Sequence, residues 1–333
     1  LEFVVVVVIP TLGVDDSLLE CLASLERQSF RNFETVVVDN SGKGVVRRRG
    51  VAVKVLEEPR NVGFGAAINH AAAQSSAPYV ATLNDDAIAD PRWLEALVRA
   101  LDARPEAGMC ASQVRLYGED RLDSAGMVIS ADGSSKQRGH LEPPSRYAEG
   151  SEVLLPSGSA ALYRRVVLER AGGFDEDFFL YCEDTDLGLR ARWAGWTCWY
   201  APDAVVEHRY SRSAGRASAL KAYYVERNRL YTAIKNFPAA ALWRAPFASL
   251  VRYFWHVIFL WSGRGKAAEF QAQGNSGLRL AWFVVRAHLA ALRRLAMLWR
   301  QRAGIRRAAR LTSAEYLALL RAHSIPLRKV AEL

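Results

Sequence analysis

Cysteine is scarce in this chain, with four residues in 333 (Cys21, Cys110, Cys182 and Cys198) and none in C-x-x-C spacing. That excludes a disulfide-stapled scaffold and a cysteine zinc site, and it suits a reducing compartment. Long uncharged apolar runs are missing as well. No stretch of about 18 such residues occurs, so no transmembrane helix is expected. Internal repeats and low-complexity tracts are absent. The N-terminal LEFVVVVVIPT starts without Met and runs straight into a strand pattern. It is not read as a signal peptide, and Leu1-Glu2 reads as a cloning scar. Acidic residues almost vanish from the last third: residues 209–333 hold 23 Lys/Arg and 4 Asp/Glu, a net +19, against 21 and 31, a net −10, over residues 1–208. Such asymmetry points to an acidic working surface followed by a segment that meets anions, or to an ordinary basic helical surface.

Half the residues are hydrophobic and 24% are charged, enough for a sizeable core. Residues 3–9 are a β-branched run typical of a strand buried on both faces. Asp15 to Gln28 has helical spacing. Strands are expected at 34–39, 51–57 and 79–84, and helices at 64–76 and from Pro91 to Ala103. Strands alternating with helices predict βαβ units, a mostly parallel sheet, and ligands at the carboxyl ends of its strands. The polar stretch 131–151 reads as a mobile loop. A strand and helix follow at 158–173, then a helix at 183–194 with Asp186 and Arg190 spaced i,i+4. From about 218 onward the pattern is helical and basic.

Five short segments could carry chemistry. Asn84-Asp85-Asp86 ends a hydrophobic strand. Adjacent carboxylates repel, and a hard divalent cation would relieve this; a solvated turn is the plainer reading. Asp39 follows a buried strand and could accept from a base or ribose, or close an Asx-turn. Arg60-Asn61-Val62-Gly63-Phe64-Gly65 offers close backbone approach and a helix N-terminus, without a G-x-G-x-x-G fingerprint. Residues 174–187 interleave six acids with Phe178, Phe179 and Tyr181, which suits a cleft carboxylate acting as base or an acid-rich helix start. His208 follows a strand at the charge boundary and is a structural histidine or a metal ligand.

Taken in order, these segments resemble the inverting glycosyltransferases of family 2 over about residues 3–235. Glu226-Arg227-Asn228-Arg229-Leu230-Tyr231, Lys235-Asn236-Phe237-Pro238 and Trp299-Arg300-Gln301-Arg302 with Arg306-Arg307 are similar to the bacterial rhamnosyltransferase subgroup. The resemblance implies an α/β GT-A fold, Rossmann-like, with a mostly parallel sheet and helices on both faces. It implies a catalytic domain over 1–235 and a basic helical region over 236–333. Pro10, Thr11 and Asp39 would hold base and ribose. Arg60, Asn61 and Gly63 would lie along the diphosphate. Asn84 and Asp85 would complete the nucleotide-sugar site. Asp86, Asp85 and His208 would bind Mg²⁺ or Mn²⁺, with Asn84 standing where a strict D-x-D has Asp. Asp184, ahead of Glu183, would be the base. The implied activity is metal-dependent, inverting transfer of L-rhamnose from dTDP-rhamnose to a lipid-linked or cell-envelope glycan, the acceptor being carried on a polyprenyl diphosphate.

A UDP-sugar donor (galactofuranose or an N-acetylhexosamine) is the alternative within the fold. A nucleic-acid-binding protein would leave the acidic cluster unexplained, and no nucleic-acid partner is expected. A nucleotidyltransferase would need a glycine-rich basic loop near the first strand. Residues 246–262 are apolar and aromatic but carry Arg252 and His256, so an interfacial helix fits better than a span. With the arginines of 279–310 this predicts a cytoplasmic protein, peripheral on the inner face of the membrane. The other reading is helix packing or a homodimer contact.

Overall fold

The computed structural model describes residues 3–209, 218–272 and 276–333, so Leu1-Glu2 and the Tyr210-Ser211 that follow the His208 segment lie outside the described residues. The described residues fall into two compact units.

The first unit, which takes the described residues 3–127, 137–191 and 196–209, is built on β1 (Val5–Thr11), α1 (Ser17–Glu26), β2 (Phe33–Asp39), β3 (Lys54–Glu57), α2 (Phe64–Ala72), β4 (Tyr79–Leu83), β5 (Ala87–Ala89), α3 (Trp93–Asp102), β6 (Ala107–Leu116) and β7 (Leu122–Ser124). After a two-stranded hairpin of β8 (Met127–Ile129) and β9 (Ser135–Gln137) come β10 (Ser151–Val153), β11 (Ala160–Arg164), α4 (Arg165–Ala171), α5 (Glu183–Trp193) and β12 (Thr197–His208). The sheet order is β10-β12-β6-β11-β4-β1-β2-β3. β3, β2, β1 and β4 run parallel, as do β6 and β12; β11 lies between β4 and β6 and opposes both.

The β-branched run explains the layering. Val5, Val7 and Ile9 pack with Leu18, Leu22 and Leu25 of α1 and with Trp93 and Leu97 of α3. Val6 and Val8 point the other way, onto Ala67, Ile68 and Ala71 of α2 and Leu187 of α5. A two-residue side-chain period thus feeds two cores, and helices cover both faces.

The expected loop over 131–151 is more ordered than composition suggests. It holds β9, a 3₁₀ turn over Pro144–Tyr147 and the start of β10. Polar strands at a sheet margin carry no apolar run, so periodicity missed them.

The second unit takes the described residues 128–136, 192–195, 218–272 and 276–333. It holds α6 (Ala219–Asn236), α7 (Ala239–Trp261), α8 (Gly265–Ala272), α9 (Gly277–Arg293), α10 (Leu295–Arg307), α11 (Ser313–Ala322) and α12 (Leu327–Glu332). Residue 235, the expected boundary, falls at the end of α6, which groups with this unit. The Asn236-Phe237-Pro238 break leaves carbonyls open, and other parts of the unit close them. Trp193 Nε1 donates to the Asn236 carbonyl at 2.8 Å, and the Phe237 carbonyl accepts from Arg302 at 2.6 Å and Arg306 at 2.9 Å.

A buried ion network also sits here. Glu226 and Asp132 face Arg229 and Arg252, with Arg252 Nη2 2.7 Å from Glu226 and Arg252 Nε 2.5 Å from Asp132. Burial alone would raise both carboxyls; the two guanidiniums hold them below the usual range.

Candidate active site

Two carboxylate groupings form where strands end. β4 stops at Leu83 and delivers Asn84-Asp85-Asp86. The reversed β11 pairs Ala160 with Leu83, which lays the 157–159 turn beside Asn84; the Asn84 amide donates to the Ser159 carbonyl at 2.9 Å. β12 ends at His208, paired with Ala87 of β5. His208 therefore meets the Asp86 carboxylate, Nε2 to Oδ1, at 3.1 Å, and Asn84 Nδ2 at 3.1 Å. Its other nitrogen, Nδ1, lies 2.8 Å from Asp123 of β7. Burial would push the imidazole down, but hydrogen bonds and charge from Asp123 and Asp86 raise it to about 10.

Asp85 turns elsewhere: Thr11 Oγ1 donates to it at 2.5 Å. Burial, then the Asp86 and Asp15 charges, raise its carboxyl to about 6 against the Thr11 hydrogen bond. Among the described residues no three His, Cys, Asp or Glu side chains converge as a metal cluster. Asp86 and His208 nonetheless fit a divalent ion. They are one hard oxygen and one borderline nitrogen side by side, and the buried carboxylates already draw a proton's positive charge to this spot.

The second grouping opens α5. Asp184 accepts from the Gly158 amide at 2.9 Å and from the Thr185 amide at 2.6 Å. A Cβ at Gly158 would come 3.2 Å from the Asp184 Cβ, so the turn packs tightly against this carboxylate. Burial raises the Asp184 carboxyl, and those amides pull it only partly back. Glu183 is 6% exposed, its Oε2 has no hydrogen-bond partner, and burial with the Asp184 charge raises it to about 8. The backbone leading in is unusual. Of four non-glycine residues with positive φ among those described, three are Phe179, Tyr181 and Cys182, at 63°, 69° and 64°. Such conformations cost about 1–3 kcal/mol each and persist where surroundings force them.

Of the other expected residues, Asp39 and Asn61 have local partners. Asp39 spends both oxygens on its own turn, accepting from Ser41 N at 2.9 Å and Val46 N at 2.8 Å, which is the Asx-turn reading. Arg60 is exposed, and Pro10 is half-buried at the end of β1. Asn61 accepts from the Gly63 amide at 2.9 Å. Gly63 has φ 90°, and a Cβ there would strike the Phe179 carbonyl at 2.2 Å. That approach, with Phe64 N donating to the same carbonyl at 2.9 Å, ties the 60–64 loop to the strained segment before Glu183.

The sequence profile "Glycosyl transferase family 2" matches residues 6–172. The chain belongs to glycosyltransferase family 2. It is 31% identical over 260 residues, 69% of this chain and 83% of the relative, to the N-acetylglucosaminyl-diphospho-decaprenol L-rhamnosyltransferase of Mycobacterium tuberculosis (strain ATCC 25618 / H37Rv). Among solved structures, GalNAc-T7 with UDP, GalNAc and Mn²⁺ superposes with a TM-score of 0.61 at 14% identity. That match covers 75% of this chain and about half, 51%, of the other. The mannosyltransferase PcManGT of Pyrobaculum calidifontis, with GDP-Man and Mn²⁺, gives 0.54 at 19% identity over 95% and 88%. These structures share the GT-A-like fold.

Sequence reasoning missed two residues packed behind His208. Asp123 is 2% exposed on β7 and also lies 3.4 Å from His140 Nδ1. Burial would raise its carboxyl, but the two histidines bring it down to about 2. Asp123 sits in Leu122-Asp123-Ser124, a strand buried at all three positions, and nothing in that tripeptide marked it beforehand. His140 lay in the stretch read as loop and carried no signal either.

Proposed function

We propose that the protein transfers L-rhamnose from dTDP-rhamnose, with inversion, to a glycan on a polyprenyl diphosphate. One observation carries the chemistry: two separate buried carboxylate sites, one holding a basic partner and one raised by burial. Groups pushed apart in this way divide into charge-binding and proton-transfer roles. The rhamnosyl donor and the lipid-linked acceptor rest on the mycobacterial relative's name.

Asp184 takes the proton of an acceptor hydroxyl as that oxygen bonds the anomeric carbon. The carbon–oxygen bond to the diphosphate breaks on the opposite face, and its electron pair leaves with the nucleoside diphosphate. No covalent sugar–enzyme intermediate forms. Asp86 and His208 would hold Mg²⁺ or Mn²⁺, which supplies positive charge to the departing diphosphate. The amides of Gly158 and Thr185 keep Asp184 oriented, and Thr11 orients Asp85.

The test is thermal-shift and calorimetric titration with dTDP-rhamnose, UDP-sugars and free nucleotides, with and without Mn²⁺. Metal-dependent stabilisation by dTDP-rhamnose alone is expected. A response to a UDP-sugar instead would replace the donor, and no response to any would sink the donor site. Asp184→Asn should lower transfer about 10²–10⁴-fold while leaving donor binding intact. Retained transfer would move the base to Glu183.

A further inference from the structure

α7 is built inside out. Its inward face carries Ser249 and Arg252, 5% and 7% exposed, with Arg252 ion-paired to Asp132 and Glu226. Its outward face carries Trp243, Phe247, Leu250, Phe254, Val257 and Trp261, spaced alternately four and three residues apart; both tryptophans are 80% exposed. A helix of a water-soluble protein shows the opposite arrangement. At about 1.5 Å per residue the stripe from Trp243 to Trp261 runs roughly 27 Å.

α9 repeats the pattern. Leu278, Trp282, Val285, Leu289 and Leu292 are exposed with the same spacing. Arg279, Arg286 and Arg293, each seven residues on, are also exposed. Residues 239–311 contain 13 Lys/Arg and one acid, Glu269.

We infer that the outward faces of α7 and α9 seat the protein on an anionic lipid surface, lying in its plane. Aromatic and aliphatic side chains enter the headgroup boundary, and the arginines meet lipid phosphates. Charge selects this occupant. A second copy would bring like-charged arginine rows together, whereas an anionic leaflet complements them. No helix among the described residues is long and apolar enough to cross a membrane. Arg252, which counted against an apolar segment in the sequence, is turned inward and neutralised, so the outward stripe is unbroken.

The experiment is flotation of the full chain with vesicles of phosphatidylcholine, or of phosphatidylcholine with one-third phosphatidylglycerol, at low and high salt. The protein should float with the anionic vesicles. Paired changes Trp243→Ser/Phe247→Ser and Trp282→Ser/Leu289→Ser should each lower partitioning at least about tenfold. Arg279→Gln/Arg286→Gln/Arg293→Gln should abolish the preference for anionic over neutral vesicles and its salt dependence. Wild-type protein that stays in solution with both vesicles overturns the proposal. So does a discrete dimer that the serine pairs dissociate without any vesicle binding; these faces would then join two copies. Melting temperature and donor titration on the same variants should be unchanged, so a failure here is separable from a failure of the donor site.

Discussion

His208 is held from both sides, by Asp86 at Nε2 and by Asp123 at Nδ1. Asp123 anchors Nδ1 and so aims Nε2 at Asp86. Asp123→Asn should weaken Mn²⁺ binding about 10–100-fold, read by electron paramagnetic resonance titration well below the variant's own melting point. Unaltered Mn²⁺ affinity would remove Asp123 from any positioning role. Glu183 offers a second test, through pH. Its carboxyl is raised to about 8, so from the ordinary carboxylate range up to that value the folded chain holds a proton the unfolded chain has lost. Its contribution to stability is therefore complete at low pH and falls as pH rises, at up to about 1.4 kcal/mol per pH unit, then levels off. Glu183→Gln should flatten that slope between pH 5 and 8 in thermal melts; an identical profile would place the proton elsewhere. Asp86, Asp184 and His208 could be singled out as candidates because each stands in a short motif. Asp123 could not, since its role comes from a strand pairing, β6 with β7, that brings it to a residue 85 positions away.

The strands of the first unit were legible wherever both faces are buried. β1, β2 and β4 fall within two residues of their expected bounds because apolar β-branched runs have few other uses. The reversed β11 was seen as a strand, but its direction depends on neighbours, not on its own side chains. α7 shows the same limit more sharply: its arginine can be read, but not the direction in which it points. The ion network there gives an element-scale prediction. Arg252→Met leaves Asp132 and Glu226 with Arg229 as their shared cation and should destabilise the chain by about 3–5 kcal/mol. Adding Asp132→Asn should recover part of that loss, because the two changes act on one interaction. Simple additivity in chemical denaturation would show that the network is not a unit.

For the molecule as a whole, the charge split in the sequence coincides with a division of labour. The acidic part contains the sheet and both carboxylate sites, and the basic part contains the helices whose exposed faces are apolar and cationic. The resemblance read from ordered motifs gave family and fold together. The cover of the helical unit was harder to read, because amphipathicity states how a helix is divided and not which half faces in. One consequence follows from the inward ion pairs of α7. The helix cannot roll about its axis to hide its tryptophans, since any turn would pull Arg252 from two carboxylates at once. The greasy side is permanently on show, so the freshly made chain must find cover promptly or clump, and detergent or added lipid should decide whether it survives purification.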